Sequence, residues 1–265
     1  MTAATTPPGD NPVAGSIAVV GLGPGRSEWL VPEGASYIVD ATDLVGYHTY
    51  LAMIPTDLLR GQIVHGSDNR EEIDRARFAL QLASEGRRVA VISSGDPGVF
   101  AMASALFEAQ TDEHVQPQWS ALDIVVVPGI TAALATAARA GAPLGHDWCV
   151  ISLSDNLKPW AIIEKRLRSA LDADFVLALY NPVSRHRPTQ LSTAFDIIRS
   201  YRTPSTPIIL GRDVGRPAEH VDVVELGDVD LARCDMRTVI LVGSSTTRID
   251  TVGGRQRAHT PRRYP

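Results

Sequence analysis

The sequence predicts an α/β protein of two domains with mainly parallel sheets, and three observations carry that expectation. Short apolar runs rich in β-branched residues recur along the chain, helix-period segments lie between most of them, and a Gly/Pro break divides the series near its middle. Short apolar runs bounded by Gly, Pro or Asp read as buried strands, and strands alternating with helices imply parallel pairing.

Taken in order, the first half holds the runs SIAVV (16–20), DLV (43–45), QIV (62–64), RVAVIS (88–93) and DIVVV (123–127). A helical segment at 69–86 has Asp68 and Asn69 as N-cap candidates, acids in its first turn and Gly86 as its stop. Further helical periods span 99–109 and 131–141. The stretch GAPLGHD (141–147) has no apolar period and reads as a break. Beyond it come the runs WCVISL (148–153), DFVLALY (174–180), TPIIL (206–210), VDVVEL (221–226) and RTVILV (237–242), with helices at 160–171 and 189–201. Two domains are expected, 16–141 and 148–248, joined by a linker at 142–147. Residues 1–15 read as a flexible leader. Residues 249–265, with Arg255, Arg257, Arg262 and Arg263, read as a basic flexible tail. Ligands of such proteins often sit between domains and beside the carboxyl ends of strands, so the active site is expected in an interdomain cleft.

Composition narrows the chemistry. The 265 residues are 44% hydrophobic with a net charge of −5, which is ordinary for a globular chain and lacks the overall positive field of a nucleic-acid binder. No apolar stretch is long enough to span a membrane. The first residues carry neither a basic nor an apolar region of a secretory signal. Cys149 and Cys234 are the only cysteines, and the seven histidines show no HxxxH spacing, so no metal site is expected and a reducing cytoplasm is the expected setting. Neither lysine, Lys158 or Lys165, follows a GxxxxG loop, which excludes a P-loop hydrolase.

Three loops directly follow strand runs of the first half: GLGPGR (21–26), SGDPG (94–98) and PGIT (128–131). With parallel strands all three emerge at one sheet edge, where glycines let backbone groups approach a ligand. A Rossmann dinucleotide site fails in detail. Its third glycine position is Arg26, and Pro24 removes a donor that a pyrophosphate needs. The loops suit a nucleoside ligand without a phosphate chain.

GLGPG, GDPG and VVPGIT, in this order, resemble the tetrapyrrole methylases, which use S-adenosyl-L-methionine to methylate corrin and siroheme precursors. The segments LVGYHTY (44–50), ISLSDNLKPW (151–160), LYNPVSRHRP (179–188), ILGRDVGRP (209–217) and ILVGSS (240–245) resemble the branch that methylates C17 of precorrin-3B with ring contraction in cobalamin synthesis. The resemblance spans residues 16–248. It implies a methyltransferase whose cofactor is held by Pro24, Ser94, Gly95, Asp96, Val99, Thr131 and Ala132, and by Tyr180, Asn181 and Thr238 of the second half. It also implies a homodimer.

Methyl transfer from a sulfonium needs positioning more than a nucleophile or metal. Ring contraction calls for a general acid or base, and Asp96, Tyr47 and His48 are the catalytic candidates, with Asp155 beside them. The substrate's acetates and propionates call for local arginines in an acidic body. Arg185, Arg187, Arg212 and Arg216, with Asp155, are the substrate-binding candidates. The competing readings are a methylase acting at another ring carbon, on a cobalt-containing substrate or on a protein, an NAD-dependent oxidoreductase, and a tetrapyrrole carrier.

Overall fold

Each apolar run becomes a strand, in the computed structural model that describes residues 15–68, 71–184 and 186–264. The leader, apart from Gly15, lies outside the described residues, as does Arg185. Contacts divide the chain into two units. One holds residues as far as Leu22 with Ser27–Gly129; the other holds Gly23–Arg26 and everything from Ile130.

The first unit runs β1 (Ser16–Gly21), α1 (Pro32–Asp40), β2 (Asp43–Tyr47), α2 (His48–Leu51), β3 (Ile63–Ser67), α3 (Glu72–Ser84), β4 (Arg88–Ser93), α4 (Met102–Thr111) and β5 (Ile124–Val127). Its sheet has the order β3-β2-β4-β1-β5, and every pair is parallel. Strand alternation buries both faces. Ile17, Val19, Val89 and Val91 meet Leu80 of α3 and Leu106 of α4, while Ala18, Val20, Ala90 and Ile92 meet Ile38 of α1 on the other side. The adjacent strands β1 and β4 therefore lead to helices on opposite faces, which opens a crevice at their carboxyl ends.

The second unit runs α5 (Ala132–Ala140), β6 (Gly141–Ala142), β7 (Trp148–Ser152), α6 (Trp160–Asp172), β8 (Val176–Tyr180), α7 (Gln190–Arg199), β9 (Pro207–Arg212), β10 (His220–Glu225), β11 (Thr238–Val242), β12 (Arg248–Val252) and β13 (Arg255–His259). Here the expectation of mainly parallel sheets is corrected. In the order β10-β9-β11-β8-β7 only β7 and β8 are parallel, because a short chain excursion and not a crossover helix joins β9 to β10 and β10 to β11. Helices α6 and α7 cover one face through Ile163, Leu167 and Phe195.

Helix α5 covers the other face, so the division of the chain falls before it and not at 142–147. Its run of small residues explains the placement. Ala133, Ala137 and Ala140 lie flat on Ala178, Ile209 and Leu241, and Gly211 is bare where an added carbon would stand 2.2 Å from Thr136 Oγ1. The stretch read as a linker supplies β6, which pairs with Ala258 and His259 of β13. The basic tail is likewise structured: β12 and β13 form a hairpin, Ala258 is fully buried, and Thr260 donates to the Pro143 carbonyl at 2.5 Å. Arg255 and Arg257 alternate along β13 on the face opposite the buried Ala258, and Arg262 and Arg263 lie exposed beyond the strand, a pattern that charge alone conceals.

Candidate active site

In the first unit the adjacent parallel strands β4, β1 and β5 end side by side, and the chain leaves them through Ser94-Gly95, Gly21-Leu22 and Pro128-Gly129. Their glycines are required first by one another. A carbon added at Gly129 would stand 2.2 Å from the Gly95 carbonyl oxygen and 2.9 Å from that of Gly21; one added at Gly21 would meet the same Gly95 oxygen at 2.7 Å. Gly95 itself has φ +66°, which a residue without a side chain adopts at no steric cost. Three backbones thus meet where no side chain fits. Composition pointed to close backbone approach, but it could not show that Gly21 and Gly129 are partners of Gly95. The available signal was a glycine recurring within two residues of the strand end in all three loops.

Asp96 clasps this junction. Its Oδ1 accepts from the Gly98 N–H at 2.8 Å and its Oδ2 from the Gly129 N–H at 3.1 Å, joining the β4 loop to the β5 loop. Each oxygen thus accepts one backbone N–H, and Asp96 fastens the two loops together. The Val99 N–H donates to the Asp96 carbonyl and closes the turn. Ser94 and Gly95 are half-buried beside it. Tyr47 and His48 come from the carboxyl end of β2, on the same sheet edge. Tyr47 stands edge-on to Tyr50 with ring centroids 5.1 Å apart, and the exposed His48 ring covers Gly66.

In the second unit the Tyr180 hydroxyl closes the start of α5. It accepts from the Ala133 N–H at 2.8 Å and lies 2.5 Å from Thr131 Oγ1. Thr131 occupies the N-cap position, yet its own side chain caps nothing, so a strand residue supplies the bond. Asn181, with φ +53°, donates to Ser152 Oγ at 3.0 Å. Arg187 is only 4% exposed and donates to the carbonyls of Asn181 (2.9 Å) and Leu153 (3.3 Å). It locks the SLSD and YNP segments together and presents no free guanidinium to a substrate carboxylate, contrary to expectation. Asp155 accepts from Gln190 at 2.9 Å in the same lock.

Arg212 and Thr238 are register partners and share a face with His220, opposite the α5 face that holds Tyr180. Tyr180 and Thr238 are therefore not brought together by their side chains. Thr238 Oγ1 donates to Asp235 Oδ1 at 3.2 Å. Arg212 pairs with Asp235 at 2.9 Å and with the buried Asp213 at 3.2 Å. The latter contact has ion-pair distance but not hydrogen-bond geometry, since Asp213 Oδ2 has no hydrogen-bond partner. Arg216 donates to the Pro24 carbonyl at 3.1 Å and holds the GPGR turn, where a carbon at Gly25 would strike the Arg216 side chain. Sequence reasoning missed Asp213 and Asp235, the acids that orient these arginines. Among the described residues no group of His, Cys, Asp and Glu could hold a metal ion, and no helix is long and apolar enough to cross a membrane.

The sequence profile of the Tetrapyrrole (Corrin/Porphyrin) Methylases matches residues 16–230. The chain belongs to that family. As a tetrapyrrole methylase it is 49% identical to a precorrin-3B C(17)-methyltransferase of Sinorhizobium sp over 95% of this chain and 98% of that one. It is 48% identical to the cobalamin biosynthesis protein CobIJ of Mycobacterium tuberculosis, covering 96% of this chain and about half (49%) of that longer protein. Among solved structures, that of the methyltransferase CobJ matches with a TM-score of 0.86 and 51% identity, over 93% of this chain and all of that one. The three loops at one edge are thus those of a family that the Rossmann reading does not describe.

Proposed function

We propose that this tetrapyrrole methylase transfers the methyl group of S-adenosyl-L-methionine to C17 of precorrin-3B, with ring contraction, in cobalamin biosynthesis. The match along nearly the whole of both chains to a precorrin-3B C(17)-methyltransferase carries this reading. The glycine junction supports it. Loops fixed to one another by backbone packing and by the Asp96 clasp present their remaining backbone groups to a nucleoside, and Pro24 has no N–H to give where a phosphate site would need a donor. S-adenosyl-L-methionine supplies an electrophilic methyl on a sulfonium. Ser94, Gly95, Val99, Thr131, Ala132, Tyr180 and Asn181 are the residues we assign to hold it.

What the chain contributes is position. Asp96 sets the spacing of two loops, and Tyr180 sets the start of α5 at Thr131 and Ala132. With Asp96 engaged, Tyr47 and His48 are assigned the proton movements of ring contraction. Arg212 and Arg216, oriented by Asp213 and Asp235, together with Arg185 and the Asp155 segment, are assigned to the substrate's carboxylates. The reading carries a cytoplasmic homodimer as well, which sedimentation of the purified protein tests.

Incubation with methyl-labelled S-adenosyl-L-methionine and precorrin-3B tests the activity. One label should be incorporated, at C17, as located by NMR and mass spectrometry of the product. Incorporation at another carbon, or none, refutes the assignment; turnover of only the cobalt-containing substrate replaces it with that alternative.

A further inference from the structure

Strand β7 ends the second unit's five-stranded sheet, and no strand among the described residues pairs with its outer edge. Its sequence, WCVIS, contains no charge, proline or glycine. Native edge strands are ordinarily blunted by such residues against pairing with other chains. Beside this bare edge an open groove of about 560 Å³ runs along α6, floored by Cys149, Ile151, Ile162 and Phe175. Burial pushes the Cys149 thiol up to about 11, so the floor carries no thiolate.

The rim is cationic. Lys165 and Arg166 line the groove, both exposed, and neither has an ion-pair partner among the described residues. Burial, then the charges of Arg166 and Arg187, hold the ammonium of Lys158 below its ordinary range. Both lysines of the chain thus stand near one local surplus of positive charge, in a protein with a net charge of −5.

We propose that the β7 edge and this groove dock an extended, acidic segment of a partner protein by strand addition. The outward-facing N–H and C=O groups of alternate residues along this five-residue strand, the others being bonded to β8, offer a ladder of roughly 16 Å to an extended chain. Alternate apolar side chains of that segment enter the groove, and carboxylates flanking them meet Lys165 and Arg166. A second copy of this chain is the wrong occupant, because two-fold pairing through β7 would bring the same cations face to face.

The test uses the intact protein and two peptides of alternating Val and Thr, one flanked by Glu and one by Lys, titrated while backbone amide resonances are followed by NMR. The Glu peptide should shift the amides of residues 148–152 and bind about tenfold or more tightly than the Lys peptide. The K165E/R166E double variant should reverse that preference while leaving methyl transfer and thermal unfolding unchanged. A Glu peptide carrying a central proline should not bind. No shift at millimolar peptide, equal affinity for both peptides, shifts located elsewhere, or self-association that perturbs the β7 amides would each overturn the proposal.

Discussion

Replacing Gly129 by alanine tests whether the three loops act as one body. The new carbon would stand 2.2 Å from the Gly95 oxygen and 2.9 Å from the Gly21 oxygen. A carbon–oxygen contact is comfortable near 3.3 Å, so the β4 and β5 loops must part by about 1 Å. Both obstacles are backbone and neither can rotate away. Overpacking of this kind costs about 1–3 kcal/mol of stability, and a misplacement of about 1 Å in a positioning element costs on the order of 100-fold in rate. The separation would also stretch the 3.1 Å bond from the Gly129 N–H to Asp96. Gly129→Ala should therefore lose at least about tenfold in affinity for S-adenosyl-L-methionine by calorimetry, about 1.4 kcal/mol, and more in kcat/KM. Gly98→Ala is the control, because its new carbon meets only the Asp96 Oδ1 atom, at 3.2 Å. Wild-type affinity and urea stability in Gly129→Ala would refute the mutual packing of the loops.

Three more expectations concern single groups. Asp96→Ala leaves the Gly98 and Gly129 N–H groups without their acceptor and should weaken S-adenosyl-L-methionine binding by about tenfold, with Asp96→Asn milder; intact binding with abolished turnover would restore Asp96 as a base. Tyr180→Phe removes the acceptor of the Ala133 N–H and should lower stability to urea by about 1–2 kcal/mol, and an unchanged unfolding midpoint would contradict the capping role. Burial alone would raise the Asp43 carboxyl, but hydrogen bonds from Arg87, Thr42 and His65 outweigh it and hold its pKa below the ordinary value. That contribution to stability is complete above the unfolded pKa, about 3.9, and is lost as pH falls through the lower folded value. Wild type should thus lose stability more steeply than Asp43→Asn below about pH 4, and parallel urea-unfolding curves across that range would dispose of the linkage.

How much of this could be read in advance depended on where the determining contacts lay. All ten apolar runs are strands, because short apolar runs with β-branched residues, bounded by Gly, Pro or Asp, fit a pleated and buried surface. Helix α1 escaped notice since Gly34 interrupts its pattern. The glycine is there because a side chain would strike Val20 of β1 at 2.9 Å, a tertiary reason with no local signature. Strands β12 and β13 were hidden by arginines on their outer faces. The antiparallel order of the second sheet was hidden too, since parallel and antiparallel strands share an alphabet. At the site, loop glycines and Asp96 were legible as chemistry-bearing positions, but the partners that decide what Asp96, Arg187 and Arg212 do lie 33 residues away in Asp96's case and 34 in Arg187's. Spacing along the chain does not encode such pairs.

The pairing of β13 with β6 also has a kinetic side. Thr260 bonds to Pro143 across 117 residues, and Ala258 fills the core beneath α5 only when its strand has arrived. Contacts between segments that remote in sequence form slowly because a long loop must close first. During synthesis the sheet of the first unit has all its strands once Val127 has left the ribosome, whereas the layer over α5 waits for residues 255–259. Until then the place of Ala258 beside α5 and the edge of β6 remain open, and that interval is when a nascent chain of this protein would most need a chaperone.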